Sequence, residues 1–483
     1  MRSSLVRTGI LLLVAAALAW CGCQQQPQSL VNFAHLASLC EDVTIAGNPC
    51  TIVHIYSDAP SYAWTDAAGE GISCVDDVAR AAVLYIHAGG AAGHAANTNR
   101  IRRLLNFILL MQAEDGTFYN FLEKGMTINR DGPNSRKSFG FWAARGYWAL
   151  AEGYAFFKER DPEFAMELQR AWQRCLPLLG ILEQEYDKYE IIGKVSYPAW
   201  LLSGHAADAT SEFLLGTVAW LSVRHDSLVA YHAAKLASGI AAMQVAADSG
   251  MPPSGIAGVG TEAIPAGQTL SNMGMYGAFY SWPGIWHAWG NAQLQALAGL
   301  TAATGESQWL PPAREGARFF VRLLAGNWLH EYDFNTGETR TFPQIAYDVR
   351  TTALGFLQLY HATGEEEYAI LAGLAASWLT GNNVAGEPLY DAATGRCFDG
   401  IDRQGLNRNS GAESTIEALY TLVEIEKVPA AAAWLNARSL EKWGDSAWPP
   451  QQGLRRTFKS AHGTIILTCN AGSGDFSLQR HDH

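Results

Sequence analysis

The sequence predicts an all-α architecture, an (α/α)6 toroid in which six helical hairpins close into a ring, with short β-hairpins in the loops. Two observations carry this expectation. Apolar residues recur with a helical period through most of the 483 residues, and the helices come in pairs. The first helix of each pair begins near Asp76, Phe139, Asp208, Pro283, Phe342 and Ser410, a spacing of roughly 60 to 75 residues that marks an internal repeat. The two members of a pair also differ. "VARAAVLYI", "FWAARGYWALAEGYAFF" and "TTALGFLQLYHA" are apolar nearly all round, as buried helices are. The second helices carry Arg102, Arg103, Glu163, Arg170, Arg314 and Glu366 among their apolar positions, as one-sided surface helices do. An inner ring inside an outer ring meets both demands. An open solenoid of helix pairs needs polar caps at its ends, and "VDDVARA" offers no such cap.

Taken in order, residues 1–23 read as a leader rather than as fold. Arg2 and Arg7 precede an apolar stretch from Gly9 to Ala19, too short to span a membrane well. Cys23 after Gly22 suits lipid acylation, with Cys21 a rival and an ordinary secretory signal the alternative. The expected location is therefore exported: periplasm or outer membrane if acylated, otherwise secreted. Residues 24–70 form a linker and a segment expected to pack across one mouth of the ring, with Trp64 near the site. The toroid occupies 71–443. In its sixth pair "AAAAWLNARSL" is the second helix. Residues 444–483 form a small extension in which "HGTIILTC" reads as a strand. Three long loops rich in Gly, Asn and Asp interrupt the hairpins, and loops of such length in a compact domain are usually functional. "YDFNTGE" and "YDAATGR" read as turns, and Asp333, Asn335 and Gly337 lack the remaining ligands of a calcium loop.

Composition narrows the function. A net charge of −12 without a Lys/Arg run argues against nucleic acid and against docking on an anionic membrane. A lipid at Cys23 is then the expected membrane contact, and a monomer is expected. Of the eight cysteines, Cys40 and Cys50 could close a small disulfide loop. No cysteine or histidine pair has zinc spacing, so neither metal nor cofactor is expected.

The starts of the inner helices are the richest stretches chemically. The first carries Asp76, Asp77 and Arg80, the second Trp142 and Arg145, and the third Asp208 and Glu212. The fourth carries His287 and Asn291, the fifth Asp348 and Arg350, and the sixth Asn409, Glu413 and Glu417. Capping accounts for part of this. Asp76 suits an N-cap, Asp77 suits the helix dipole, and Ser410 with Glu413 suits a capping box. Two or three polar residues at each of six starts exceed what capping requires. In a closed ring they would line a funnel at one end.

Three stretches, "EGISCVDDVARAAVLYI", "EDGTFYNFL" and "GLNRNSGAESTIEALYTL", resemble the six-hairpin glycosidase-like superfamily. More narrowly, they are similar to toroid domains found beside bacterial sugar-transferring enzymes, over roughly residues 50–435. That resemblance implies carbohydrate chemistry: hydrolases mainly, also lyases and epimerases. It assigns no catalytic residues. Glycoside hydrolysis needs an acid and a base or nucleophile across a bound sugar, so adjacent Asp76 and Asp77 cannot both serve. Ring closure brings the first hairpin beside the sixth, which makes Glu413 and Asp77 the preferred pair, with Asp348 the substitute. Glu413 opens an apolar stretch and is the expected acid, and Asp77 the ionised partner. Arg145, Arg350, Asn291 and Asn409 would hold hydroxyls or a charged sugar, with Asp76, Arg80, Asp208 and His287 beside them, and Trp142 and Trp286 would stack on rings. A lyase using Tyr, His and Arg, an epimerase using His205 and His287, and a surface glycan-binding protein are the alternatives.

Overall fold

The computed structural model describes residues 29–89, 94–245, 274–444, 448 and 453–482. The expected leader, with Cys21 and Cys23, lies outside the described residues. Residues 32–483 form one compact unit; of the unit 1–31, only 29–31 are described.

Six helices make the inner ring: Val75–Ala88, Phe141–Phe157, Ala207–Val223, Gln293–Thr304, Ala346–Thr363 and Ala412–Glu426. Each packs on the next, and the sixth packs on the first, so the ring closes and the open solenoid is excluded. Their apolar composition is the cause, since side chains on every face are buried along the first and fifth. The outer layer is His94–Met111, Pro162–Gln173 continued by Cys175–Glu183, Ser227–Ala242, Leu310–Ala325 and Glu366–Ala376, each against its inner partner. Here caps are real: Asp161 accepts from the Phe164 N–H and Asp226 from the Val229 N–H.

Two expectations about helices need correction. The sixth outer element is only a four-residue helix, Pro429–Ala432, followed by turns, because the sixth inner helix is already covered by the N-terminal segment and the fifth hairpin. The fourth inner helix starts at Gln293, ten residues beyond Pro283. "WPGIWH" makes a turn at Pro283–Gly284 and then a short strand instead, with Ile285–His287 pairing to Glu331–Asp333 through the register Glu331↔His287.

Strands Cys40–Ile45 and Asn48–Val53 form a hairpin against the first outer helix. Its register sets Cys50 opposite Val43 and Cys40 opposite Val53, so the expected disulfide does not form and both thiols are free. The chain then crosses the start of the sixth inner helix, where Ile55 and Ser57 carbonyls accept from the Ala412 and Ser410 N–H groups. Trp64 turns away from the ring and stacks on His54 at 3.7 Å, with its indole N–H on the Ser38 carbonyl. The C-terminal strands Leu454–Ser460, Gly463–Cys469 and Phe476–His481 join Arg438–Ser439 in a four-stranded antiparallel sheet on the fourth outer helix. Asp333 makes an ordinary turn, its carboxylate accepting from the Asn335 and Thr336 N–H groups. Among the described residues no helix is long and apolar enough to cross a membrane.

The connections from inner to outer helices are short, for example 158–161, 224–226 and 427–428, so the end of the ring away from the long loops is left open. There His87 bridges Glu424 at 2.9 Å and Glu152 at 3.2 Å. Burial alone would lower the imidazole, but the two carboxylates win and hold it up at about 10, while Glu424 is pulled down to about 2. The histidine's stabilisation is complete below its unfolded value of 6.5 and is lost as pH rises through about 10. That of Glu424 is complete above 4.5 and lost as pH falls through about 2. His87→Gln is therefore expected to cost on the order of 3 kcal/mol at pH 6 and progressively less towards pH 10, read by denaturant unfolding across that range.

Candidate active site

The acids at the first inner helix do not cap it. Strand pairing of Ser73–Cys74 with Phe121–Leu122 delivers an extended Cys74 as the N-cap, and no side chain bonds the helix start. Asp76 instead accepts from Arg145 at 2.6 Å and from the Asn120 amide at 3.1 Å. Asp77 pairs with Arg80 at 2.7 Å and takes the Cys74 thiol at 3.2 Å. The sixth inner helix is likewise not capped by Ser410, whose hydroxyl lies 3.3 Å from that of Thr415.

One turn into the ring, buried charges from five inner helices form a continuous layer. Arg80 donates to Glu417 at 2.7 Å, and Glu417 accepts from Arg350, also at 2.7 Å. Arg350 donates to Glu212 at 2.9 Å, and Glu212 accepts from the Tyr347 hydroxyl at 2.8 Å. Tyr347 in turn receives Arg145, which returns the chain to Asp76. Burial alone would raise Glu212, but Arg350 and Arg145 hold it below its usual range. Arg350 is thus committed to protein carboxylates and does not line the cavity described next, whereas Arg145, paired with Asp76, does line it.

Above this layer a cavity of about 330 Å³ opens between the first and sixth hairpins. Asp77, Arg80, Asp399 and Glu413 line it, with Tyr56 from the crossing strand. The expected pair, Glu413 and Asp77, does meet there: Arg80 contacts Asp77 at 2.7 Å and Glu413 at 3.2 Å. Their surroundings are the reverse of expectation. The Glu413 side chain is 46% exposed rather than set among apolar neighbours, whereas Asp77 is 4% exposed. Burial, opposed by Arg80, pushes Asp77 up to about 6.

Asp399 was missed in the sequence. It sits in the loop before the sixth inner helix, where its Oδ1 accepts from the Gly411 N–H at 2.8 Å and the Ser414 hydroxyl at 2.7 Å. Burial raises its carboxyl above the usual range despite these two donors, and Glu413 and Asp58 add to the rise. The available signal was weak: one of two aspartates in "GRCFDGID", in a loop too long to be a mere connection.

The remaining candidates divide. Asp208 and His287 are completely buried and paired at 2.9 Å, and the imidazole stacks on Trp289 at 3.7 Å. His287 Nδ1 and the carbonyl oxygen of the buried Asn291 side chain have no hydrogen-bond partner. Asp348 belongs to this second cluster rather than to the cavity, with His330 at 3.7 Å and its own carboxyl raised by burial. His205 binds the Pro198 carbonyl and Glu190, so it does not face His287. Trp286 is in the core against Phe319 and cannot stack on a sugar; the half-buried Trp282 and Trp289 flank His287 in its place. Half-buried Trp142 donates to the Phe118 carbonyl, and Asn409 accepts from the Ala59 N–H, which fastens the crossing segment. Among the described residues no group of three His, Cys, Asp or Glu side chains is placed to hold a metal ion.

No family model and no curated protein matches the sequence. Solved structures match over most of their length. Cellobiose 2-epimerase from Bacillus thermoamylovorans superposes with a TM-score of 0.55 at 12% identity, covering 82% of this chain and 96% of that one. Cellobiose 2-epimerase from Spirochaeta thermophila gives 0.53 at 15%, covering 88% and 99%. A D-mannose isomerase gives 0.54 at 11%, covering 82% and 94%. Identities this low speak to the fold. In fold, the chain is an (α/α)6 toroid, as these structures are.

Proposed function

We propose that this protein is an exported carbohydrate-active enzyme that hydrolyses a glycosidic bond at the mouth of the toroid. The observation that carries the reading is the cavity lined together by Asp399, by half-exposed Glu413 and by Arg80, which contacts Glu413 at 3.2 Å. Hydrolysis needs one carboxyl that keeps its proton and one that does not. Asp399 is the better donor. Asp77 has one oxygen on Arg80 and the other on Cys74, while both bonds to Asp399 fall on Oδ1. Asp399 then protonates the leaving oxygen, and Glu413 acts as base towards water or as nucleophile. Asp77 positions Arg80, which steadies Glu413. Export rests on the leader, with Cys23 its acylation site.

A second reading has a specific observation behind it. His287 and His330 both lie close enough to Asp348 to influence its carboxyl, a pairing of bases that suits proton transfer at a sugar carbon. The structural neighbours named above are epimerases and an isomerase.

One assay separates these readings. The chain from Gln24 onward is incubated with bacterial and plant glycans, following reducing ends, ultraviolet absorbance and sugar composition together. New reducing ends without absorbance, lost in Asp399→Asn, are the expected result. An absorbing product would make it a lyase. An altered sugar without new ends would make it an epimerase, and saturable binding without any product a glycan-binding protein.

A further inference from the structure

The open end of the ring, opposite the mouth, holds a second cavity of about 320 Å³ that shares no lining residue with the first. The layer of paired arginines and glutamates lies between the two. Its two sides differ in kind. Leu215, Leu354 and Leu357 make one side aliphatic, and the other presents the rings of Trp148 and Tyr420 with Glu152, Glu424 and His87. Small residues such as Ala219 and Gly299 leave the space that larger side chains would fill.

We propose that this cavity is a second binding site, for a small organic ammonium compound carrying an apolar face. An open cavity with convergent polar groups against an apolar wall is the usual form of a small-molecule site. The sign of the ligand follows from the lining. An anion would meet two carboxylates at the carbonyl ends of the inner helices. A cation would share those carboxylates with His87 and, at Glu424, with Lys427, and would meet two aromatic rings, a combination that attracts ammonium groups. His87 already shows the local field: the two glutamates keep its ring protonated well beyond the usual range. Glu152 also accepts the Trp148 indole N–H at 3.2 Å, so the carboxylate and the ring are held as one unit. The ligand's apolar face would lie on the leucine side.

The test compares benzylamine with benzyl alcohol, which share shape and differ in the ammonium, by calorimetry on the full chain at pH 7. Saturable benzylamine binding is expected, at least tenfold tighter than that of benzyl alcohol. Glu152→Gln should weaken it about tenfold, and Ala219→Trp, which fills the cavity, should abolish it. Glu413→Gln at the mouth should leave it unchanged. Val218→Phe fills the same space should Ala219→Trp not fold. Equal binding of the two probes, binding that survives the filling variants, or no saturable binding of benzylamine would overturn the proposal.

Discussion

Glu413→Gln is expected to lower kcat by a factor of roughly 100 to 10,000 on whichever glycan the assay above identifies as substrate, with little change in thermal unfolding. The split follows from its position. The side chain is 46% exposed and its single ion pair is with Arg80, which keeps Glu417 and Asp77 as buried partners. Little stability rests on an exposed carboxylate of this kind. A loss of activity with an unchanged unfolding midpoint therefore reports chemistry. Asp399→Asn should lose a similar factor, and its pH profile carries the assignment. A proton donor works only while protonated, so the wild-type rate should fall on the alkaline side as Asp399 ionises, at a pH above that of an ordinary aspartate because its carboxyl is raised. In Asp399→Asn that alkaline limb should vanish. An alkaline limb that survives in the variant would move the acid role to Asp77, and full activity in Glu413→Gln would remove Glu413 from the site.

The ring and the site differ in how far they could be read from the chain. Hydrophobic period reports burial, and a helix buried on all faces, as at Val75–Ala88, must lie inside a second layer whatever its partners. Six such helices admitted few arrangements, so the toroid was legible. What period does not report is local competition. At "SWPGIWHAW" the period suggested a helix starting near Pro283, but Gly284 takes φ +78 in a turn and Glu331–Asp333 offers a strand edge to Ile285–His287, so Trp286 goes to the core. The polar excess at the helix mouths was legible too, and Asp76, Asp77, Arg80 and Glu413 do meet around one corner. Their roles were not, because a role depends on which charges neutralise which. Arg145 and Arg350 both looked like substrate ligands, but Glu212 and Glu417 claim Arg350, and Arg145 lines the cavity only as the partner of Asp76. Glu212 and Glu417 each stand four residues beyond a mouth acid, at Asp208 and Glu413, and so mark the same helix face one turn deeper. Asp399 could not be ranked at all, since its raised carboxyl comes from a loop conformation that no periodicity encodes.

Arg350→Met should cost about 3 to 5 kcal/mol at pH 7, the largest single effect on stability expected here. The reason is desolvation rather than attraction. Arg350 and both its carboxylate partners are essentially inaccessible, with side-chain exposures of 1% for Arg350, 0% for Glu212 and 1% for Glu417. Methionine matches the arginine stem in shape but leaves two glutamates without their cation. Glu212 already has one oxygen, Oε2, without a partner. Glu417 retains Arg80, and Glu212 retains only Tyr347 besides the more distant field of Arg145. In the native ring Glu212 lies below its usual value, so its contribution is present above the unfolded value of 4.5 and is lost as pH falls through the folded one. Without Arg350 burial dominates, the folded value rises above the unfolded one, and the sign reverses: the variant should regain stability as pH falls and Glu212 takes up a proton. The difference between wild type and variant in urea unfolding is thus expected to shrink from pH 7 towards pH 4.5. Arg350→Met with Glu212→Gln should recover part of the loss at pH 7, because the unpaired charge is then absent from the fold. A constant deficit across that range would show that lost packing, not a stranded carboxylate, is what Arg350 prevents.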